Sequence, residues 1–218
     1  MNAKSNLPES SLIEFFLGAG RLKNIPRSGW VNRGVKNPES IADHTFRMTL
    51  MAWFLGRGKN FDLLKLFKMA LVHDLCEVYA GDATPHDRQV AAGEHLRDIT
   101  IFDRWPLRLP IAEKAKIAGS KKAKEHDALV VLISQLPTEL ADEVYSLWEE
   151  YEDGLSREGV FLRQVDRVEN VLQACEYEKE QTGLHMGSFW EQIKELADDP
   201  GLVEFIDEVD HYFYSKKP

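Results

Sequence analysis

Residues 71–77 read Leu-Val-His-Asp-Leu-Cys-Glu, which puts His73 and Asp74 side by side in the most apolar helical stretch of the chain. An unpaired carboxylate buried there would cost several kcal/mol or be forced to take up a proton. A divalent metal satisfies both groups at once, because a neutral imidazole and a carboxylate are ordinary ligands for Zn, Mn, Fe or Co. Glu77 follows His73 by four residues, a spacing that puts both on the same side of a helix. This stretch alone offers two metal ligands and a nearby acid or base.

Two other positions share that character. His44 falls on the apolar face of a segment marked by Ile41, Met48, Met51 and Leu55 at spacings of three and four. Asp166 borders the stripe Phe161, Leu162, Val165, Val168, Leu172 and Cys175. Metal sites in helical bundles are assembled in this way, from side chains on facing helices. Taken singly, each residue has a plainer reading. A lone His on an apolar face is usually a hydrogen-bonded core residue, and Asp166 could pair with Arg163 or Arg167. Together, three helices would each have to bury a ligand-type residue for no reason.

The elements that must position these groups are almost all helical. A short apolar segment at 10–19 ends at Gly18 and Gly20, and 21–39 is a connection with Pro26, Gly29, Gly34 and Pro38. Ser40 has the character of an N-cap with Asp43 at the capping-box position, opening the helix that carries His44. The spacing predicts one helix over 62–80, apolar on nearly all sides and stopped by Gly81. Residues 82–126, with Pro85, Pro106 and Pro110, read as an irregular excursion holding one or two short helices, and its Lys121–Lys124 run as solvated surface. Further helices are expected at 127–136, 138–152, 157–181, 187–198 and 201–214. There is no repeat, and no glycine-rich phosphate loop.

Composition limits the possible functions. The chain has 218 residues, 44% hydrophobic and 29% charged, enough for a sizeable core in one large domain or two small ones; a single domain spanning 1–218 is expected. With 27 Lys and Arg against 36 Asp and Glu, the net charge of −9 lacks the basic footprint of a nucleic-acid-polymer binder. A metal and one or two Arg could still reverse the sign locally for a small anionic substrate. Cys76 and Cys175 form no CxxC pair and read as reduced core thiols. No signal-peptide core and no membrane-length apolar run is found, so a cytoplasmic protein without membrane contact is expected.

The order His44, His73-Asp74, Asp166 resembles the signature of the HD-domain metal-dependent phosphohydrolases. Arg21-Leu22-Lys23, Pro26-Arg27, Gly29-Trp30, Pro38-Glu39-Ser40, Asp43-His44, Ala70 to Asp74, Glu77 and Gly81-Asp82 resemble more narrowly its 5′-deoxynucleotidase branch. So do Leu147-Trp148-Glu149-Glu150-Tyr151-Glu152 and Gln173 to Glu178. The resemblance covers about 10–87 and 127–185. It implies an all-α HD-domain bundle with an insertion at about 88–124 near the mouth of the site, closed by C-terminal helices at 187–214. It also implies that His44, His73, Asp74 and Asp166 hold one divalent ion (Mn, Co, Mg, Ni, Fe or Zn). Glu77 and Asp82 would act beside the attacking water and the leaving oxygen, and Arg27 would contact the substrate phosphate. Trp30 would wall the nucleoside pocket.

The implied reaction removes phosphate from deoxyribonucleoside 5′-monophosphates by a metal-activated water, in a homodimer. The residues alone leave plainer roles open: a surface ion pair for Glu77, a turn residue for Asp82, a structural salt bridge for Arg27, packing for Trp30. The bacterial nucleotidase of the branch carries a Trp directly after its phosphate Arg, where this chain has Ser28 and the next Trp is Trp30, so selection of deoxyribose by a bulky side chain at that position is not implied here. Two alternatives remain. One is hydrolysis of another nucleotide, such as a guanosine polyphosphate, a cyclic nucleotide or a nucleoside triphosphate. The other is a non-catalytic helical module clamped by its metal, with Trp148–Tyr151 as a partner surface. The C-terminal aromatics Phe205, Tyr212, Phe213 and Tyr214 could form a dimer interface or pack internally.

Overall fold

The computed structural model describes residues 9–84, 111–184 and 186–215. Its helices in chain order are α1 (Glu9–Ala19), α2 (Ser28–Asn32), α3 (Ile41–Gly56), α4 (Leu63–Val72), α5 (Glu77–Ala80), α6 (Ile111–Ile133), α7 (Thr138–Asp153), α8 (Arg157–Glu180), α9 (Gly187–Leu196) and α10 (Pro200–Asp210). A 3₁₀ turn, Gly20–Asn24, links α1 towards α2. Among the described residues there is no strand, only an isolated antiparallel bridge between Pro26 and Ser40.

The long helix α8 is the axis of the bundle. Its apolar stripe, Phe161, Leu162, Val165, Val168 and Val171, is buried against α3, α4, α7, α9 and α10. Ile41, Met48 and Ala52 of α3, Leu66, Met69 and Ala70 of α4, and Leu129 and Leu132 of α6 complete one continuous core. Its helix ends are defined by local chemistry. Ser40 caps α3 through a full capping box: its hydroxyl accepts from the Asp43 N–H at 3.1 Å, and Asp43 accepts the Ser40 N–H at 2.9 Å. Asp62, Ser156 and Asp199 cap α4, α8 and α10 in the same sense. Gly159 lies where α8 crosses the end of α7, and a Cβ there would stand 2.7 Å from the Glu150 carbonyl oxygen.

Four expectations need correction. The helix expected over 62–80 is broken: α4 stops at Val72, and α5 starts only at Glu77. Between them the backbone tightens into i→i−3 bonds, with Leu75 N–H on the Val72 carbonyl and Glu77 N–H on the Asp74 carbonyl, both at 3.1 Å. The irregular excursion shrinks, because 111–126 belongs to the continuous helix α6 that follows Pro110; the part of the insertion at 88–110 lies outside the described residues. The lysine run is not uniformly solvated: Lys124 Nζ donates to the Ala80 carbonyl at 2.6 Å, and Lys121 pairs with the buried Glu125. Nor is Trp148–Tyr151 a partner surface, since Trp148 is 1% and Tyr151 7% exposed.

Candidate metal centre

Three helices and one turn converge where α4 ends. The Pro26–Ser40 bridge, with Arg27 N–H on the Glu39 carbonyl at 2.9 Å and Ile41 N–H on the Ile25 carbonyl at 3.0 Å, fixes the Arg27 segment to the start of α3. One turn into α3, His44 is fully buried. His73 and Asp74 open the 3₁₀-type turn after α4, and Asp166 comes from the middle of α8. Ligand-type atoms of His44, His73 and Asp74 all lie within 4.8 Å of one another. Asp166 reaches them through His44, with Oδ1 3.3 Å from Nε2. Asp74 Oδ2 lies 3.0 Å from His73 Nε2 and 3.9 Å from His44 Nε2.

The two imidazoles are oriented alike. His73 Nδ1 sits 2.8 Å from the Ala70 carbonyl, which can only accept, so Nδ1 carries the proton. His44 Nδ1 sits 2.6 Å from Glu169 Oε2, a buried carboxylate. Burial alone would raise the pKa of Glu169, but His44, Arg47 and Arg27 keep it below the usual carboxylate range. Both Nε2 atoms are buried and have no hydrogen-bond partner. Two orphaned imidazole nitrogens facing carboxylates, each with its other nitrogen already engaged, is the arrangement a divalent metal requires of its ligands. The residues fit the group.

The electrostatics of the site point the same way. Burial opposes ionisation of Asp74, yet His73, Arg27 and His44 hold it well below the carboxylate range. Asp166 is held low against its burial by Arg167, His44 and Arg27. Glu77 differs: burial, reinforced by Asp74 and Asp82, pushes its pKa well above the usual value despite Arg27 and Lys121, and its Oε2 has no partner. Glu77 thus holds its proton more tightly than an ordinary glutamate, next to two ionisable neighbours. His44 is raised to about 9, because burial and Arg27 oppose its charge but Glu169 and Asp166 outweigh them.

The remaining residues expected in the site divide. Arg27 is brought in, its Nη1 3.2 Å from Asp74 Oδ2 and its Nη2 3.0 Å from Asn170 Oδ1. Asp82 follows the Gly81 turn, where φ is +72°, and its Oδ2 accepts the Ser28 N–H at 2.6 Å. That bond ties the Arg27 segment to the turn bearing Glu77. Trp30 is a correction. It is 1% exposed, packed against Tyr177 and Phe189, with its indole N–H on Glu39 at 2.9 Å, so no face is left to wall a nucleoside pocket.

Sequence reasoning passed over four supporting residues. Glu169 and Asn170 lie three and four positions after Asp166, on one face of α8. Glu169 orients His44, while Asn170 Nδ2 donates to Asp166 Oδ1 at 3.0 Å. Arg47, three after His44, donates to Glu169 Oε1 at 2.8 Å through Nε. Tyr151 donates to Asp166 Oδ2 at 3.3 Å and sets its ring edge-on to His73. Helical spacing was the available signal for the first three.

A model of the HD domain family matches residues 19–199. The chain belongs to the HD domain family. The 5′-deoxynucleotidase HDDC2 of Dictyostelium discoideum is 37% identical over 178 residues, covering 78% of this chain and 80% of the relative. The 5′-deoxynucleotidase HDDC2 of Homo sapiens is 32% identical over 201 residues, 92% of this chain and 85% of the relative. Among solved structures, a conserved hypothetical protein from Pyrococcus furiosus superposes with a TM-score of 0.65 at 29% identity, covering 91% of this chain and 99% of that one. An HD domain implies a divalent metal, and His44, His73 and Asp74 form a candidate ligand group for it. No described helix is long and apolar enough to cross a membrane.

Proposed function

We propose that this HD domain removes phosphate from deoxyribonucleoside 5′-monophosphates, with His44, His73, Asp74 and Asp166 holding one divalent ion. The observation that carries the reading is the pair of buried, unpartnered Nε2 atoms facing Asp74 and Asp166, in a chain whose relatives bear the name 5′-deoxynucleotidase. A divalent ion bound there would lower the pKa of a water to roughly 7 and offset charge on phosphoryl oxygens.

The chain's own residues supply the rest. Arg27 remains charged at any working pH, since Asp74, Asp166, Asp82 and Glu77 outweigh the effect of its burial. Two of its nitrogens bind within the protein, and the fork's other N–H groups are available to phosphate. Hydrolysis breaks the bond from phosphorus to the 5′-oxygen and forms one from phosphorus to a water oxygen. The departing 5′-oxygen needs a proton, and Glu77, whose pKa burial raises, is suited to give it. Asp82, fixed by the Ser28 N–H, is suited to accept a proton from the attacking water.

The chain acts as one domain and as a homodimer in this reading. The C-terminal aromatics are engaged internally: Tyr214 donates to Glu178 at 2.5 Å, and the Lys179 ammonium lies over the rings of Tyr212 and Phe213. A different face is available. Ile13 and Phe16 of α1, Phe46 and Trp53 of α3, and Leu64 and Leu71 of α4 are each 45% exposed or more. Phe46 and Leu71 also border an apolar hollow of about 350 Å³. Exposed apolar clusters of this kind mark interaction surfaces, and a second copy is the proposed occupant. Two free buried thiols, Cys76 and Cys175, support a reducing compartment, the cytoplasm.

The test is phosphate release from 5′-mono-, di- and triphosphates of both sugar series by metal-loaded protein. Release confined to deoxyribonucleoside monophosphates is expected. Release mainly from di- or triphosphates, or from ribonucleotides, would overturn the substrate assignment.

A further inference from the structure

A phosphate monoester carries about two negative charges at neutral pH; Arg27 is already bonded to Asp74 and Asn170, and Arg167 lies 3.8 Å from Asp166 with its side chain 47% exposed. Another cation approaches from the opposite element. Helix α6 packs on α5, the helix that begins at Glu77, and Lys124 is fixed to the Ala80 carbonyl at the end of α5. Lys121 lies one turn before Lys124, so it shares that side of α6. Its Nζ is 3.2 Å from Glu125 Oε1, and Glu125 is 5% exposed. The Lys121 side chain itself remains 42% exposed. It is a cation anchored on its protein side and open on the other.

The charge around Lys121 agrees with that placement. Burial works against its charge, but Glu125, Glu77 and Asp74 raise its pKa above the ordinary lysine value. The carboxylates facing it are Glu125 on its own helix, Glu77 on α5, Asp74 in the turn before it, and Glu152 on α7. Lys122, next in sequence, pairs instead with Asp153 on the exposed side. The two neighbours in one lysine run therefore have different partners.

We propose that Lys121 is a phosphate-binding residue of this site, its ammonium steadied by Glu125 and donating to a non-bridging phosphoryl oxygen across from Arg27. The proposal rests on the nucleotidase reading above for its substrate, but binding of phosphate itself can be read without turnover. The experiment is calorimetric titration of inorganic phosphate into metal-loaded wild type, Lys121→Gln, Lys121→Met and Lys122→Gln, with metal content and melting temperature measured alongside. Loss of one charge-assisted hydrogen bond predicts about tenfold weaker phosphate binding in both Lys121 variants, with metal content unchanged and Lys122→Gln equal to wild type. Inhibition by the free deoxynucleoside should stay the same, which a merely structural role would not ensure. Phosphate affinity within about twofold of wild type in a folded, metallated Lys121 variant would overturn the proposal, as would an equal weakening of phosphate and deoxynucleoside. A wild type that binds phosphate with Lys121 dependence yet hydrolyses no nucleotide would overturn the nucleotidase reading alone.

Discussion

At the scale of single residues, the site is a set of groups each held in one state by a neighbour. Glu169 is the clearest case: it is fully buried, bonded to His44 Nδ1, and fixed in turn by Arg47. Carboxylate partners of ligating histidines set the tautomer and basicity of the ring. Glu169→Gln should therefore weaken metal binding about 10- to 100-fold, read by competition with a chelating dye. Unchanged affinity would mean that Glu169 is only a core ion pair. The raised pKa of His44, about 9, gives a second expectation. Below that pH the metal must displace a proton from Nε2, so apparent affinity should fall about tenfold per pH unit as pH is lowered. Metal titrations at several pH values between about 6.5 and 8.5 check this, and a flat profile would contradict it. The ligand-type residues were legible in the sequence because their chemistry is conspicuous in an apolar stretch. Trp30 was misread because a Trp close to Arg27 looks functional, whereas its neighbours Tyr177 and Phe189 come from distant chain and close around it only on folding.

At the scale of elements, helix ends and crossings place the candidate ligands. The capping box at Ser40 fixes where α3 begins and hence where His44 points. Ser40→Ala should cost about 1 kcal/mol in denaturant unfolding and also weaken metal binding. A loss of stability with metal affinity intact would separate the cap from the site. Gly159 controls the crossing of α7 and α8, which carry Tyr151 and Asp166. Its Cβ would meet a backbone carbonyl, so Gly159→Ala should destabilise by about 1–3 kcal/mol; a neutral outcome would show that the crossing can shift. The capping box and the long periodic helices were readable because both are local. The break between α4 and α5 was not: the periodicity of 62–80 is continuous, and only the i→i−3 bonds at 72–78 reveal that the chain tightens there. The start of α6 was likewise hidden, because the prolines at 85, 106 and 110 made the whole stretch look irregular.

At the scale of the whole molecule, one bundle axis, α8, supplies Asp166, Glu169 and Asn170, and everything else in the site closes onto it. The exposed apolar face of α1, α3 and α4 lies on elements that also build the core, so association there would brace the helix carrying His44. Replacing Phe46 and Leu71 with Glu should shift sedimentation to a monomer; a dimer that persists would place the interface elsewhere. The bundle class was legible from helical periodicity, whereas this face was not, because sequence pattern does not separate apolar residues that meet the core from those that meet a partner. The central claim, that four side chains hold a metal on which phosphate release depends, has one direct test. Metal-stripped wild type and Asp74→Ala should be titrated with manganese while bound metal and phosphate release from a deoxyribonucleoside 5′-monophosphate are followed together. The account predicts release rising in proportion to bound metal up to about one ion per chain, with both lost in Asp74→Ala. Release by stripped protein, or full metal binding and release by Asp74→Ala, would contradict it.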